Sequence, residues 1–170
     1  MIKLYTKIFT TGICTEEVNA EQNDAIEFIG KQCQKIICKC FAGSLAIRQV
    51  DAGSCNGCEL EIHALNNVFY NIERFGIHFV ASPRHADMLL VTGPVSKHME
   101  AALKATYDAT PEPKLVVAVG NCGANGGEFG CSYACLGSVD KVIPVDAIIQ
   151  GCPPTPVDLL QGILMAISKY

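Results

Sequence analysis

The sequence predicts an α/β domain built on a doubly wound, mostly parallel sheet. Three observations predict it. From Leu45 onward, short aliphatic runs alternate with segments of helical period. One run, Leu115-Val116-Val117-Ala118-Val119, is continuously apolar, as a strand covered on both faces should be. Prolines and a glycine-rich stretch punctuate the runs where elements must stop.

The elements follow in order. Residues 16–41 read as a polar helix whose Ile26, Ile29, Cys33, Ile36 and Cys40 recur at helical spacing. That amphipathic helix packs on the domain or on a neighbour, and residues 1–44 form an N-terminal helical extension to the α/β domain of 45–170. Residues 45–50 are the first strand, ending at Asp51-Ala52-Gly53-Ser54-Cys55. A helix is expected over 57–74, with Ile62, Leu65, Phe69 and Ile72 on one face. Strands are expected at 77–80 and 88–93, and a helix at 96–109, where Met99, Ala102, Leu103, Thr106 and Tyr107 stand three and four apart. Pro111 and Pro113 close that segment. After residues 115–119 come a glycine-rich loop of 120–137 and a strand at 141–145. The last helix starts after Thr155, with Pro156 at its first position and Asp158 completing a capping box. The pattern is that of a flavodoxin-like sheet, which binds its ligands at the carboxyl ends of the strands.

Composition excludes several classes of function. The 170 residues are 49% hydrophobic and only 18% charged, the reverse of a disordered chain. A mean hydropathy of +0.26 points to apolar surface covered by a partner. The net charge of −4 offers no basic field for nucleic acid. No apolar run reaches 18 residues, so no transmembrane helix is expected, and the opening residues 1–7 carry no export-signal pattern.

The ten cysteines demand an explanation. Without an export signal they read as metal-binding or redox-active rather than as a disulfide framework. Cys55 and Cys58, then Cys122, then Cys152 each follow a predicted strand, so parallel strands bring four thiols to one edge. Four converging thiolates suit a [4Fe-4S] cluster or a Cys₄ zinc site. Zinc sites usually take two close pairs, whereas here one Cys-Asn-Gly-Cys pair joins two isolated cysteines, and Cys152 precedes Pro153 as cluster ligands in bacterial ferredoxins precede proline. Glycines 53, 57, 120, 123, 126, 127 and 151 surround these positions, and the start of the 57–74 helix directs its positive end to them. A thioredoxin-like dithiol at 55 and 58 leaves Cys122 and Cys152 unexplained, and Cys122 alone reads equally as a buried structural thiol. The glycines of 120–130 fit neither phosphate-binding fingerprint.

Four ordered motifs carry a family resemblance: Asp51-Ala52-Gly53-Ser54-Cys55-Asn56-Gly57-Cys58-Glu59-Leu60-Glu61, Ser82-Pro83-Arg84-His85-Ala86-Asp87, Gly120-Asn121-Cys122-Gly123 and Gly151-Cys152-Pro153-Pro154. They resemble the small subunit of energy-converting, membrane-bound [NiFe]-hydrogenases of the formate hydrogenlyase type, homologous to the quinone-proximal cluster subunit of complex I. The likeness runs from about residue 45 to the end. It implies that Cys55, Cys58, Cys122 and Cys152 hold one [4Fe-4S] cluster. It further implies a [NiFe] large subunit, a ferredoxin-like iron–sulfur subunit and membrane-arm subunits as partners, on the cytoplasmic face of the membrane. Cys-Asn-Gly-Cys, in place of the adjacent cysteines of complex I subunits, favours the hydrogenase branch, and sulfur-reducing relatives share that spacing. The twin-arginine signal and the additional cluster region of uptake-type small subunits are not seen.

Other residues carry weaker expectations. Glu59 and Glu61 suit the first turn of a helix through its dipole, and Glu61 matches an acidic interface position of complex I relatives. Arg84 and His85 read equally as cluster neighbours and as an ordinary surface turn. His63, His78 and His98 lack ligand companions. Among the surplus cysteines, Cys33 and Cys40 share the apolar stripe and Cys38 lies off it. Cys14 stands about five helical turns away from Cys33, so Cys14, Cys33, Cys38 and Cys40 do not read as a second cluster. Cys131 and Cys135 read as a regulatory dithiol or as buried thiols.

Overall fold

The computed structural model describes residues 2–11 and 20–169. Six α-helices are described: α1 (Ile2–Thr11), α2 (Ala20–Cys40), α3 (Gly57–Ala64), α4 (Glu100–Ala109), α5 (Gly120–Asn125) and α6 (Pro156–Ile167). The strands are β1 (Leu45–Asp51), β2 (Ile77–Phe79), β3 (Met88–Thr92), β4 (Val95–Ser96), β5 (Leu115–Val119), β6 (Cys135–Gly137) and β7 (Ala147–Ile149). Five of them make one parallel sheet in the order β2-β1-β3-β5-β7, and β4 pairs antiparallel with β6 beside it. This is the expected flavodoxin-like α/β order with a helix at the N-terminus.

Helices cover both faces. On one, α2, α3 and α6 bury Ile26, Cys33, Ile37, Ile62, Leu159 and Ile163 against the sheet. On the other, Leu103 of α4 packs with Val50, Leu89, Val91 and Val116. Every residue of β3 and β5 is therefore buried, which is why those runs hold no polar alternation. Two aspartates begin strands in the same way. The Asp87 carboxylate accepts the Ala46 N–H while its own N–H donates to the Ala46 carbonyl, and Asp146 does the same with Val116.

The fold corrects several expectations. The helix of 57–74 ends at Ala64, because the Asn67 side chain accepts the N–H groups of Phe69 and Tyr70, each at 2.9 Å, and folds the chain into a turn. Ile62, Leu65 and Ile72 still reach the core, Ile72 from a 3₁₀ turn over Ile72–Phe75, while Phe69 is exposed. The strand expected at 141–145 does not form. A 3₁₀ turn occupies Val139–Lys141, Pro144 has no N–H to give a ladder, and the strand begins instead at Ala147, after the Asp146 clip. The loop of 120–137 contains α5 and β6. Residues 95–96 are strand, so the helix of 96–109 begins at Glu100. On α2, Ile37 takes the buried place expected of Cys40, which is exposed with Cys38. Cys14 lies outside the described residues.

Candidate functional site

Strand register assembles the site. Asp51 pairs with Thr92, Thr92 with Val119, and Val119 with Ile149, so the carboxyl ends of β1, β3, β5 and β7 form one row across the sheet. Neighbours in such a row stand about 4.8 Å apart. Cys55 and Cys58 follow the first member, Cys122 the third and Cys152 the fourth. Four cysteines distant in sequence thus rise from one sheet edge.

Local chemistry holds each loop. The Asp51 carboxylate accepts the N–H groups of Gly53 and Ser54, both at 2.8 Å, which turns the chain off β1. Asn56, in the left-handed region at φ 71°, then launches α3, so that Cys58 falls on its first turn. The Asn121 N–H donates to the Gly151 carbonyl at 2.8 Å and its side-chain oxygen accepts the Gly151 N–H at 2.9 Å, tying the loop after β5 to the loop after β7. Cys55 and Cys152 are exposed, Cys122 is half-buried and Cys58 is buried.

Two glycines form a cradle around the sulfurs. A Cβ on Gly120, which holds φ +78°, would stand 2.7 Å from the Cys58 sulfur. A Cβ on Gly127, at φ +52°, would stand 2.5 Å from the Cys122 sulfur. Any side chain there would occupy the space beside the thiols. A cavity of about 260 Å³ opens on the same edge, lined by Asn121, Asn125, Gly127, Glu128 and Cys152.

The thiols influence one another. The Cys58 thiol is pushed up to about 12, first by burial and then by the negative fields of Glu59, Cys55, Cys122 and Cys152. Cys122 is also raised, by burial and then by Cys152 and Cys55. Four thiolates together thus need a cationic centre to be stable, and a thiophilic metal group supplies one. A single tetrahedral ion requires sulfurs about 2.3 Å from it, hence roughly 3.8 Å from each other. Among the described residues no three Cys, His, Asp or Glu gather on one ion in that way. What the structure shows of these thiols is that they are electrostatically coupled, flanked by glycines and carried on loops that follow three strand ends, features that a metal–sulfide group fits.

Not every predicted neighbour joins the site. β2 pairs only with residues 45–47 of β1, and β3 starts level with Ile47. Arg84 and His85 lie in the short link between β2 and β3, so they stand near the start of β3, four residues of strand (about 13 Å) below its carboxyl end. They are exposed, which accords with the surface-turn reading. His78 pairs with the Ser44 hydroxyl at the amino end of the sheet. Sequence reasoning missed Thr92. The last residue of β3, it is fully buried and hydrogen-bonds the Glu59 carboxyl, and only the register of β3 against β1 reveals the pairing.

The chain matches the family described as NADH ubiquinone oxidoreductase, 20 Kd subunit, over residues 55–166. It is 44% identical over 133 residues to a probable membrane-bound hydrogenase subunit of Pyrococcus furiosus, covering 78% of this chain and 80% of the relative. It is 46% identical over 125 residues to formate hydrogenlyase subunit 7 of Escherichia coli, covering 74% of this chain and 49% of that protein. Among solved structures, the membrane-bound sulfane sulfur reductase, an archaeal respiratory membrane complex, contains a chain that aligns with a TM-score of 0.65 at 38% identity, covering 74% of this chain and 69% of that one.

Proposed function

The chain belongs to the NADH ubiquinone oxidoreductase 20 Kd subunit family, and from that membership we propose that it is the electron-transfer small subunit of a membrane-associated, hydrogenase-type oxidoreductase. In this reading residues 45–170 are the cluster-binding domain, residues 1–44 are a helical extension, and Cys55, Cys58, Cys122 and Cys152 hold one [4Fe-4S] cluster. The single observation that supports it is the row of strand ends 51, 92, 119 and 149, of which 51, 119 and 149 lead into the loops of those four thiols. When bound, the group supplies one-electron redox chemistry. The chain's own residues ligate it, cradle it with Gly120 and Gly127, and exclude water at Cys58.

Catalysis belongs to a partner in this reading. A [NiFe] large subunit interconverts protons and H₂, and this chain passes electrons between it and a ferredoxin-like subunit, at the cytoplasmic face of a membrane arm. Leu60, Phe129 and Tyr133, all exposed and apolar on segments that carry or follow the thiols, support burial of that edge against a protein. Among the described residues no helix is long and apolar enough to cross a membrane, which agrees with a peripheral subunit. A second reading, a sulfur-linked complex, draws support from the sulfane sulfur reductase likeness.

Metal analysis of the purified chain tests the core of the proposal. About four irons with acid-labile sulfide per chain are expected, and one zinc without sulfide overturns it. Cys122→Ser should abolish or convert the signal of the reduced protein in electron paramagnetic resonance. Supplying the intact complex with protons or with polysulfide as electron acceptor separates the two readings.

A further inference from the structure

Helix α1 contributes to neither hydrophobic core, and its described side chains are all exposed. Three of them are large and apolar: Tyr5 at 59%, Ile8 at 58% and Phe9 at 84%. At helical spacing these three fall within an arc of about 100° on one side of α1. Lys3 and Lys7, one turn apart, fall on the other side with Thr6 and Thr10. The Thr10 hydroxyl donates to the Thr6 carbonyl at 2.8 Å and the Thr11 hydroxyl to the Lys7 carbonyl at 2.6 Å, so both are satisfied on the helix itself.

A helix of ten residues is marginal in water by itself, and one rich in threonine and isoleucine is more so. Its stability must come from burial of the apolar side, and the cores of this chain supply none. Charge indicates what covers it. The whole chain is −4, yet α1 carries two lysines and no acidic residue. A two-faced cationic helix of this kind suits the plane of a bilayer interface, with the aromatic and aliphatic side chains among the upper acyl chains and the ammonium groups at anionic headgroups. Ten residues span about 15 Å, half the hydrocarbon thickness, so α1 can lie on a membrane and cannot cross it.

We propose that α1 is an interfacial anchor that docks this chain on an anionic lipid surface through Tyr5, Ile8 and Phe9, with Lys3 and Lys7 toward the headgroups. The inference rests on the membrane-associated part of the reading above and not on its cluster. It goes further than that reading, because a subunit can belong to a membrane complex while touching only its protein partners. Attachment of this size is reversible. One short helix buries little apolar area, and salt screens its attraction to the headgroups.

The test floats the full chain, reconstituted with iron and sulfide, on a density gradient with vesicles of phosphatidylcholine and phosphatidylglycerol. Vesicles of phosphatidylcholine alone and a gradient without lipid run beside it. Flotation with the mixed vesicles is expected, with binding weaker by about tenfold or more when phosphatidylglycerol is omitted, since two lysines lose their anionic partners. Ile8→Asp with Phe9→Asp should abolish flotation. Lys3→Gln with Lys7→Gln should lower binding to the mixed vesicles to the level of phosphatidylcholine alone. All four positions are exposed and outside both cores, so the denaturation midpoint of each variant should match that of the unmodified chain. A full chain that does not float with the mixed vesicles overturns the proposal and leaves the apolar side of α1 to a protein neighbour. Equal flotation of the aspartate variant overturns it too, because another surface then holds the lipid. Equal binding with and without phosphatidylglycerol overturns the anionic source. Normal iron without flotation defeats the anchor alone, whereas flotation without iron defeats the cluster reading alone, so the two failures are distinguishable.

Discussion

Asn121 and Gly151 are joined twice, once by the Asn121 N–H to the Gly151 carbonyl at 2.8 Å and once by the Gly151 N–H to the Asn121 side-chain oxygen at 2.9 Å. Each residue immediately precedes a cysteine, Cys122 or Cys152. The paired bonds therefore tie together two cysteine-bearing loops thirty residues apart. Asn121→Ala removes one bond and leaves the Gly151 N–H without its acceptor. We expect a loss of about 1 kcal/mol in denaturant unfolding and reduced iron retention. Full iron retention with unchanged stability would show that the clamp does not position the thiols.

Gly120→Ala tests the cradle. Its φ of +78° disfavours any side chain, and the new methyl would stand 2.7 Å from the Cys58 sulfur. Backbone strain alone costs about 1–2 kcal/mol. Iron per chain should fall as well, because the sulfur must move. A variant with normal iron content shows that the space beside Cys58 is not needed.

Thr155→Ala separates fold stability from the site. The Thr155 hydroxyl accepts the Asp158 N–H at 3.2 Å while the Asp158 carboxylate accepts the Thr155 N–H at 3.0 Å, a complete capping box on α6. Removing the hydroxyl should cost about 1 kcal/mol, read as a lower denaturation midpoint. Iron content should not change, since the cap leaves Cys152 and its neighbours in place. Loss of iron in this variant would mean that the α6 cap and the thiol loop are coupled.

The surplus cysteines of α2 should divide by burial. Cys33 is fully buried and its thiol is pushed up to about 12 by desolvation, while Cys38 and Cys40 are exposed. At pH 8 an alkylating reagent should label Cys38 and Cys40 in the folded protein and reach Cys33 only after unfolding, as peptide mass spectrometry would read. The linkage sign follows from the raised value. The folded state holds the Cys33 proton more tightly than an unfolded thiol titrating near 9.0, so this contribution to stability is complete below pH 9 and is lost as pH rises toward 12. Cys38→Ser with Cys40→Ser should leave iron per chain unchanged, whereas a fall from about eight to about four would reveal a second cluster.

Periodicity and capping chemistry were enough to read the α/β class, the parallel strands at 45, 88 and 115, and the start of α6 from the sequence, because each is written in neighbouring residues. The shared edge of the four cysteine-bearing positions was legible for a related reason: each follows a strand within a few residues, and parallel strands share a carboxyl edge. Local pattern failed where a distant partner or a side chain chose between alternatives. Asn67 ended α3 by capturing two backbone N–H groups, and Asp146 delayed β7 by clipping onto Val116. Neither choice is visible in hydrophobic spacing, since both segments remain apolar enough for the element that does not form. The pairing of Glu59 with Thr92 lay further out of reach, thirty-three residues apart. It exists only because the register of β3 against β1 sets the end of one strand beneath the first turn of a helix that follows the other, and register is a property of the assembled sheet.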